Sequence, residues 1–245
     1  MRNHIHRRLG NAGENIKRKN KRMIKAILFD LDNTLINFTE FKKRATEAAA
    51  DAMSEAGLKT EPEELKKKLL RFYYSHGIES DDAYKEYLKK EFGSVDYRIL
   101  AVGVNAYLKE KYKRLEPYPN TQETLGKLKE KKYKLGVVSD GLRLKAWMRL
   151  NEAKLDEFFD VVVTFDDTGR MKPDSKPFLK ATQELKVSPG ECLFLGDWPE
   201  KDMAGAKAVG MLTCFARYGH QGGEKTPDAD YEIDDIQELL KIIKT

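Results

Sequence analysis

Ile24-Lys25-Ala26-Ile27-Leu28-Phe29-Asp30-Leu31-Asp32-Asn33-Thr34-Leu35 is an apolar run that turns acidic within one residue. Residues 24–29 read as a strand covered on both faces, because its hydrophobicity is nearly continuous rather than alternating. Asp30 and Asp32 then stand just past the strand end. Two carboxylates a few ångströms apart raise each other's pKa, so a cation or a proton must relieve the repulsion. Taken alone, Asp-x-Asp at a strand end is also compatible with an ordinary turn.

Working outward, four further apolar runs lie at 134–138, 161–165, 192–195 and 211–215, and amphipathic stretches at 121–131, 143–150, 175–185, 201–209 and 236–243 alternate with them. Strand and helix in alternation predict an α/β fold, a doubly wound, Rossmann-like parallel sheet whose ligands bind at the carboxyl ends of the strands. The stretch 37–115 breaks the alternation. It shows no strand, and Gly57, Thr60-Glu61-Pro62, Gly77 and Gly93 divide it into helices, with Pro62 placed at a helix start. The expected organisation is a basic disordered tail at 1–22, an α/β core at 23–36 and 116–245, and an inserted all-helical cap at 37–115.

A chain of 245 residues accommodates one such core and a smaller module, domains holding roughly 100 to 200 residues each. Hydrophobic residues at 40% suffice to fill a core, and no run approaches the roughly 20 apolar residues of a membrane span, so no membrane association is expected. The net charge of +5 suggests nucleic acid until its location is considered. Residues 1–22 hold eight Lys and Arg against Glu14 alone, a local +7, which leaves −2 on the remaining chain. A nucleic-acid partner would rest on the tail alone and is not expected. The tail has no apolar stretch of the roughly 7 to 15 residues that a secretory signal needs, and Met23, directly before the first strand, offers an alternative translation start. Cys192 and Cys214 each fall inside an apolar run, as buried free thiols would, which suits the reducing cytoplasm.

The other strand ends are chemically distinctive. The second ends in Val138-Ser139-Asp140-Gly141, where a hydroxyl and backbone N–H groups before a helix can bind a phosphate, although Ser-Asp-Gly by itself is more often just a turn and helix cap. After the third comes Gly169-Arg170-Met171-Lys172-Pro173-Asp174, and the fourth ends in Gly196-Asp197-Trp198-Pro199-Glu200-Lys201-Asp202, with Gly196 read as room for a ligand. In a parallel sheet all of these ends share one edge.

This ordered set resembles the haloacid dehalogenase superfamily, whose four motifs are Asp-x-Asp-x-Thr, a Ser or Thr, a Lys, and Gly-Asp followed by a second acid. The likeness spans residues 24–243, and the insertion is similar to that family's helical cap in its first position. Stretches 136–150, 172–178 and 196–210 look like archaeal phosphatases of the superfamily, a group that includes enzymes acting on glyceraldehyde 3-phosphate. The resemblance implies a phosphatase for a small phosphate monoester. Asp30 would be the nucleophile, Asp32 the general acid and base, and Lys172 the cation holding Asp30 and the phosphate. Ser139 and the backbone N–H groups near Leu31 and Asp140 would grip the phosphate. Magnesium would be held by Asp30, Asp197 and the main-chain carbonyl of Asp32, with Asp202 behind them. Lys176-Pro177 mimics the lysine motif, but Phe178 falls in its usual place only if Lys172 is the motif residue.

Neighbouring chemistries remain. A phosphomutase would share every motif, and a 2-haloacid dehalogenase would lack the acid at Asp32. Trp198-Pro199 departs from the family pattern and leaves the shape of its loop open. His4, His6, His76 and His220 show no metal-binding spacing and are expected to be solvated, whereas Tyr73, Tyr74, Tyr84 and Tyr87 are expected to pack within the cap. Nothing in the sequence sets an oligomeric state or the physiological substrate.

Overall fold

The structure, a computed structural model, describes residues 23–76, 82–111, 113, 115–222 and 228–243. The basic stretch 1–22, Gly77 and the side chains of Tyr73, Tyr74 and His76 lie outside the described residues. Six strands, β1 (Ala26–Phe29), β2 (Lys134–Val138), β3 (Val161–Val163), β4 (Cys192–Gly196), β5 (Leu212–Ala216) and β6 (Tyr231–Ile233), form one parallel sheet in the order β3-β2-β1-β4-β5-β6. The sheet is the expected doubly wound type, with β1 at its centre.

Successive side chains of a strand point to opposite faces, and the strands use both. Ile27, Phe29, Leu135, Val137, Leu193 and Leu195 pack with Leu125 and Leu128 of α5 (Thr121–Glu130), Ala146 and Leu150 of α6 (Arg143–Glu152), and Leu239 of α10 (Leu239–Ile242). Ala26, Leu28, Val138, Cys192 and Phe194 face the other way, toward Phe178, Ala181 and Leu185 of α8 (Ser175–Leu185) and Ala206 of α9 (Ala204–Ala208). Both cysteines are free and buried in this sheet.

Three local readings change. The expected strand 161–165 stops at Val163, because the side chain and backbone of Thr164 engage Asp167 in a capping box that starts α7 (Phe165–Thr168). Strand β6 was not anticipated, since two of its three residues are exposed at the sheet edge and carry no apolar run. The helix expected at 201–209 begins instead as one π turn, Pro199–Met203, before α9.

Four helices occupy the stretch after β1: α1 (Phe38–Glu55), α2 (Pro62–His76), α3 (Ala83–Phe92) and α4 (Tyr97–Lys111). The side chain of Asn37 caps α1 by accepting from the Glu40 N–H, and Pro62 opens α2 as expected. Phe38 and Phe41, in the first turns of α1, join the sheet's apolar cluster with Leu115. Ala45, Ala49, Ala50 and Met53 further along α1 join a separate cluster with Leu65, Leu69, Phe72, Tyr84, Tyr87, Leu88 and Tyr107. Two hydrophobic bodies therefore meet within α1. Among the described residues, no helix is long and apolar enough to cross a membrane.

Helices α1 and α4 cross closely at Gly103, where an added Cβ would lie 2.1 Å from Met53 Cε and 2.7 Å from its Cγ. Gly103→Ala is expected to lower the unfolding free energy by about 1–3 kcal/mol through overpacking, although at an open helix site the same exchange gains about 0.5–1 kcal/mol. The midpoint of urea unfolding reads this, and a midpoint at or above wild type would mean that Met53 simply swings aside.

Candidate active site

Phe29 pairs with Val137 on one side and Leu195 on the other, so β1, β2 and β4 end at one level of one edge. The Asp30 N–H still donates to Leu195 O (2.9 Å) and the Ser139 N–H to Val163 O (2.9 Å), which holds both residues in the ladder. Strand order reverses beside β1, and in doubly wound sheets the ligand crevice opens at such a switch.

Among the described residues, carboxylate oxygens of Asp30, Asp197 and Asp202 lie within 4.8 Å of one another, and all three residues are buried. The ammonium of Lys172 stands among them, paired with Asp30 and 2.7 Å from Asp202 Oδ1. Burial pushes the Asp30 carboxyl well above its usual range; Lys172 opposes the rise, while Asp202 and Asp32 add to it. Burial raises Asp197 as well, reinforced by Asp30 and Asp202 against Lys172 and the Thr34 hydroxyl. Burial works against the charge on Lys172, yet Asp202, Asp30 and Asp140 together hold its pKa above the ordinary value.

Other charges nearby have partners of their own. Arg149 Nη1 donates to Asp32 Oδ2 at 2.6 Å. Asp140 joins three loops, accepting from the Lys172 N–H (2.8 Å) at one oxygen and from Lys201 Nζ (3.1 Å) at the other. The trio therefore sets three negative charges against the one positive charge of Lys172, a local −2 when all are ionised. A cluster of buried oxygen ligands with that excess fits a divalent cation of the magnesium type.

The sequence-derived residues fall in this edge as follows. Asp30, Lys172 and Asp197 are together. Asp202, expected behind the metal ligands, has a carboxylate oxygen within 4.8 Å of those of Asp30 and Asp197 and pairs with Lys172. Its carboxylate fills the space over Gly196, where a Cβ would stand 2.4 Å from Asp202 Oδ2, so that glycine admits a side chain of the same loop rather than a ligand. The Asp202 Oδ2 also accepts the Trp198 N–H (3.0 Å), closing the π turn that the unusual Trp198-Pro199 pair begins. The carboxylate of Asp32 is turned to Arg149 and is not part of the trio. The Ser139 hydroxyl is buried and accepts the Gly141 N–H at 3.1 Å. Lys172 is buried in the site, whereas Lys176 is exposed.

Sequence reasoning overlooked the parts of four residues. Arg149 sits in phase with buried Ala146 and Leu150 on α6, and an arginine in an apolar stripe was the available signal. The Thr34 hydroxyl donates to Asp197 Oδ1 (3.1 Å), and the Tyr218 hydroxyl donates to Thr34 O (2.8 Å). His220, expected in solvent, is half-buried, with Nδ1 2.9 Å from Asp197 O and its ring edge-on to Phe215.

Comparison with known proteins agrees with this geometry. Residues 27–216 match the family model described as haloacid dehalogenase-like hydrolase. A protein of Methanocaldococcus jannaschii named glyceraldehyde 3-phosphate phosphatase is 35% identical, covering 91% of this chain and 98% of its own. The pyrophosphatase PpaX of Bacillus mycoides is 30% identical, covering 90% of this chain and 97% of its own. Among solved structures, a phosphatase from Thermococcus onnurineus is 31% identical with a TM-score of 0.64, covering 90% of this chain and 98% of that one.

The raised carboxyls have a consequence for stability. Asp30 and Asp197 bind protons more tightly folded than unfolded, so in the metal-free protein their contribution to stability falls as pH rises above about 4, the ordinary carboxylate value. A divalent cation replaces those protons and competes with them. Mg2+ is thus expected to raise the Tm of EDTA-treated protein more at about pH 8 than at about pH 5.5, and Asp197→Asn to remove most of the increment. Thermal scans check this, and equal increments at both pH values would contradict it.

Proposed function

The chain belongs to the haloacid dehalogenase-like hydrolase family, and on that footing we propose that it is a Mg2+-dependent phosphoric monoester hydrolase acting on a small phosphorylated metabolite through an aspartyl-phosphate on Asp30. The observation that carries this reading is the buried trio of carboxylates facing a single lysine beside the Asp32–Arg149 pair. The names of its relatives put forward two substrates, glyceraldehyde 3-phosphate and pyrophosphate. Both cysteines being free and buried supports action in a reducing compartment, the cytoplasm.

Phosphoryl transfer needs a placed nucleophile, charge neutralisation and a proton for the leaving oxygen. A carboxylate oxygen of Asp30 attacks phosphorus while the bond to the leaving oxygen breaks, and Asp32 delivers a proton to that oxygen. Asp32 then takes a proton from the water that attacks phosphorus, which frees Asp30 and inorganic phosphate. Arg149 pairs with the Asp32 carboxyl outside the trio, so the proton-transfer group and the nucleophile have different partners although the Asp32 charge still acts on Asp30. Lys172 reduces the repulsion between the Asp30 carboxylate and the incoming phosphate, and Ser139 with the backbone N–H groups of Leu31 and Asp140 grips the remaining oxygens. Asp30, Asp197 and the main-chain carbonyl of Asp32 would hold Mg2+, with Asp202 backing the set, and the ion would supply balancing positive charge.

Phosphate release from a panel of phosphate esters is expected to require Mg2+ and to cease with excess EDTA. Asp30→Asn should remove turnover, and Asp32→Asn should lower kcat by about 10²–10⁴-fold, the usual worth of general acid–base catalysis. Near-normal turnover by Asp30→Asn would exclude the covalent route.

A further inference from the structure

The four motifs follow β1, β2, β3 and β4, and the end of β5 carries none of them, yet it reaches the same edge. Phe215 is level with Gly196 across the β4–β5 ladder, so the residues after it leave the sheet beside Asp197. They form one tight turn, Arg217–Gly219, followed by His220.

Three consecutive residues here each touch a different part of the loops after β1 and β4. The Tyr218 hydroxyl donates to Thr34 O at 2.8 Å. Gly219 packs directly on the loop after β1: an added Cβ would collide with the Asn33 carbonyl and come within 3.2 Å of Asp197 Cβ. His220 Nδ1 is 2.9 Å from Asp197 O, and because a carbonyl only accepts, Nδ1 carries the proton and donates.

These contacts are themselves braced. The Tyr218 ring meets Tyr118 edge-on at 4.9 Å, and the His220 ring meets Phe215 edge-on at 5.2 Å. Gly222 passes so near His220 Nε2 that a Cβ there would stand 2.6 Å away. On the other side, the Asn33 N–H donates to Ile36 O (2.8 Å) and the Leu35 N–H to Leu31 O (3.0 Å), so the loop after β1 is closed on itself and moves as a unit. Asp197 is consequently gripped at two points, its Oδ1 by the Thr34 hydroxyl (3.1 Å) and its main-chain oxygen by His220. Magnesium demands ligands at about 2.0–2.1 Å in near-ideal geometry, so a carboxylate that serves it tolerates little misplacement.

We propose that Tyr218-Gly219-His220 is a positioning clamp that joins the loop after β1 to the loop after β4 and fixes Asp197 against Asp30 for a divalent cation, with His220 as its main positioning residue. This rests on the Mg2+-dependent phosphatase reading above and deepens it: a fifth strand end shapes the cation site without supplying a ligand to it.

The test titrates Mg2+ into EDTA-treated, desalted protein and takes Kd from the rise in Tm with concentration, a reading that needs no turnover. His220→Leu is expected to raise Kd by about tenfold or more, the usual worth of a group that orients a metal ligand, and His220→Asn, whose amide N–H stands in for Nδ1, to restore most of the affinity. Tyr218→Phe, which removes a single hydroxyl, should raise Kd by a smaller factor. A lower Tm of metal-free His220→Leu with its Mg2+ Kd unchanged is what a purely structural histidine gives, and it overturns the proposal. So does a His220→Asn protein that binds Mg2+ no better than His220→Leu. Should His220→Leu fail to fold, Tyr218→Phe decides, a raised Kd supporting the clamp and a wild-type Kd overturning it. Wild-type protein that neither binds Mg2+ nor releases phosphate from any ester with it would instead sink the phosphatase reading and this inference together, whereas wild-type turnover beside an unmoved Kd in His220→Leu sinks the clamp alone.

Discussion

Three buried carboxylates within reach of one another cannot all be ionised beside one lysine unless further positive charge arrives. Asp30, Asp197 and Asp202 are held in that condition by elements that have few other ways to arrange themselves. The register of β1 against β2 and β4 sets the level at which the chain leaves the sheet, and the ladder bond of Asp30 to Leu195 holds Asp30 at that level. Thr34 and His220 contact the side chain and the carbonyl of Asp197, and the lack of a Cβ at Gly196 lets the Asp202 carboxylate settle beside the same turn. A lone buried charge costs several kcal/mol, so this arrangement is stable only in company with protons, a cation or both.

Charge is sorted as carefully as it is concentrated. Arg149 and Lys201 each pair with one acid, Asp32 and Asp140, whose charges still act on Asp30 and Lys172, while the trio shares the one ammonium of Lys172. Asp140 matters for a second reason. By accepting from the Lys172 N–H and from Lys201, it ties the loops after β2, β3 and β4 into one frame, so that Lys172 approaches the trio from a fixed direction. Carboxylates that differ only in their partners can then differ in charge state and in the part they play.

Helix α1 links this edge to the rest of the chain. Its first turns pack with the sheet and its later turns with α2, α3 and α4, so Phe38 and Lys42 lie where the two clusters meet. Phe38 rests on Arg149, and Arg149 on Asp32. The aromatic and cationic groups at this junction therefore connect the helical cluster to the carboxylate of Asp32.

Much of this was legible from residue order alone. Runs such as Ala26–Phe29 and Cys192–Gly196 announce buried parallel strands because their hydrophobicity does not alternate, and acids or a hydroxyl directly after them must lie on one edge whatever the loops do. Strand β6 escaped because exposed Tyr231 and Glu232 have no periodicity to read, and the end of β3 was misplaced because a capping box outweighed the propensity of Phe165 for a strand. The sequence by itself determined which chemical groups reach the sheet edge, since that depends on local periodicity and on where each strand stops. Only the tertiary structure decided their partners: that Asp32 meets Arg149 across 117 positions, that Asp202 shares Lys172 with Asp30, and that His220 is drawn in from solvent. Such pairings depend on how distant helices and loops pack, and no spacing along the chain encodes them.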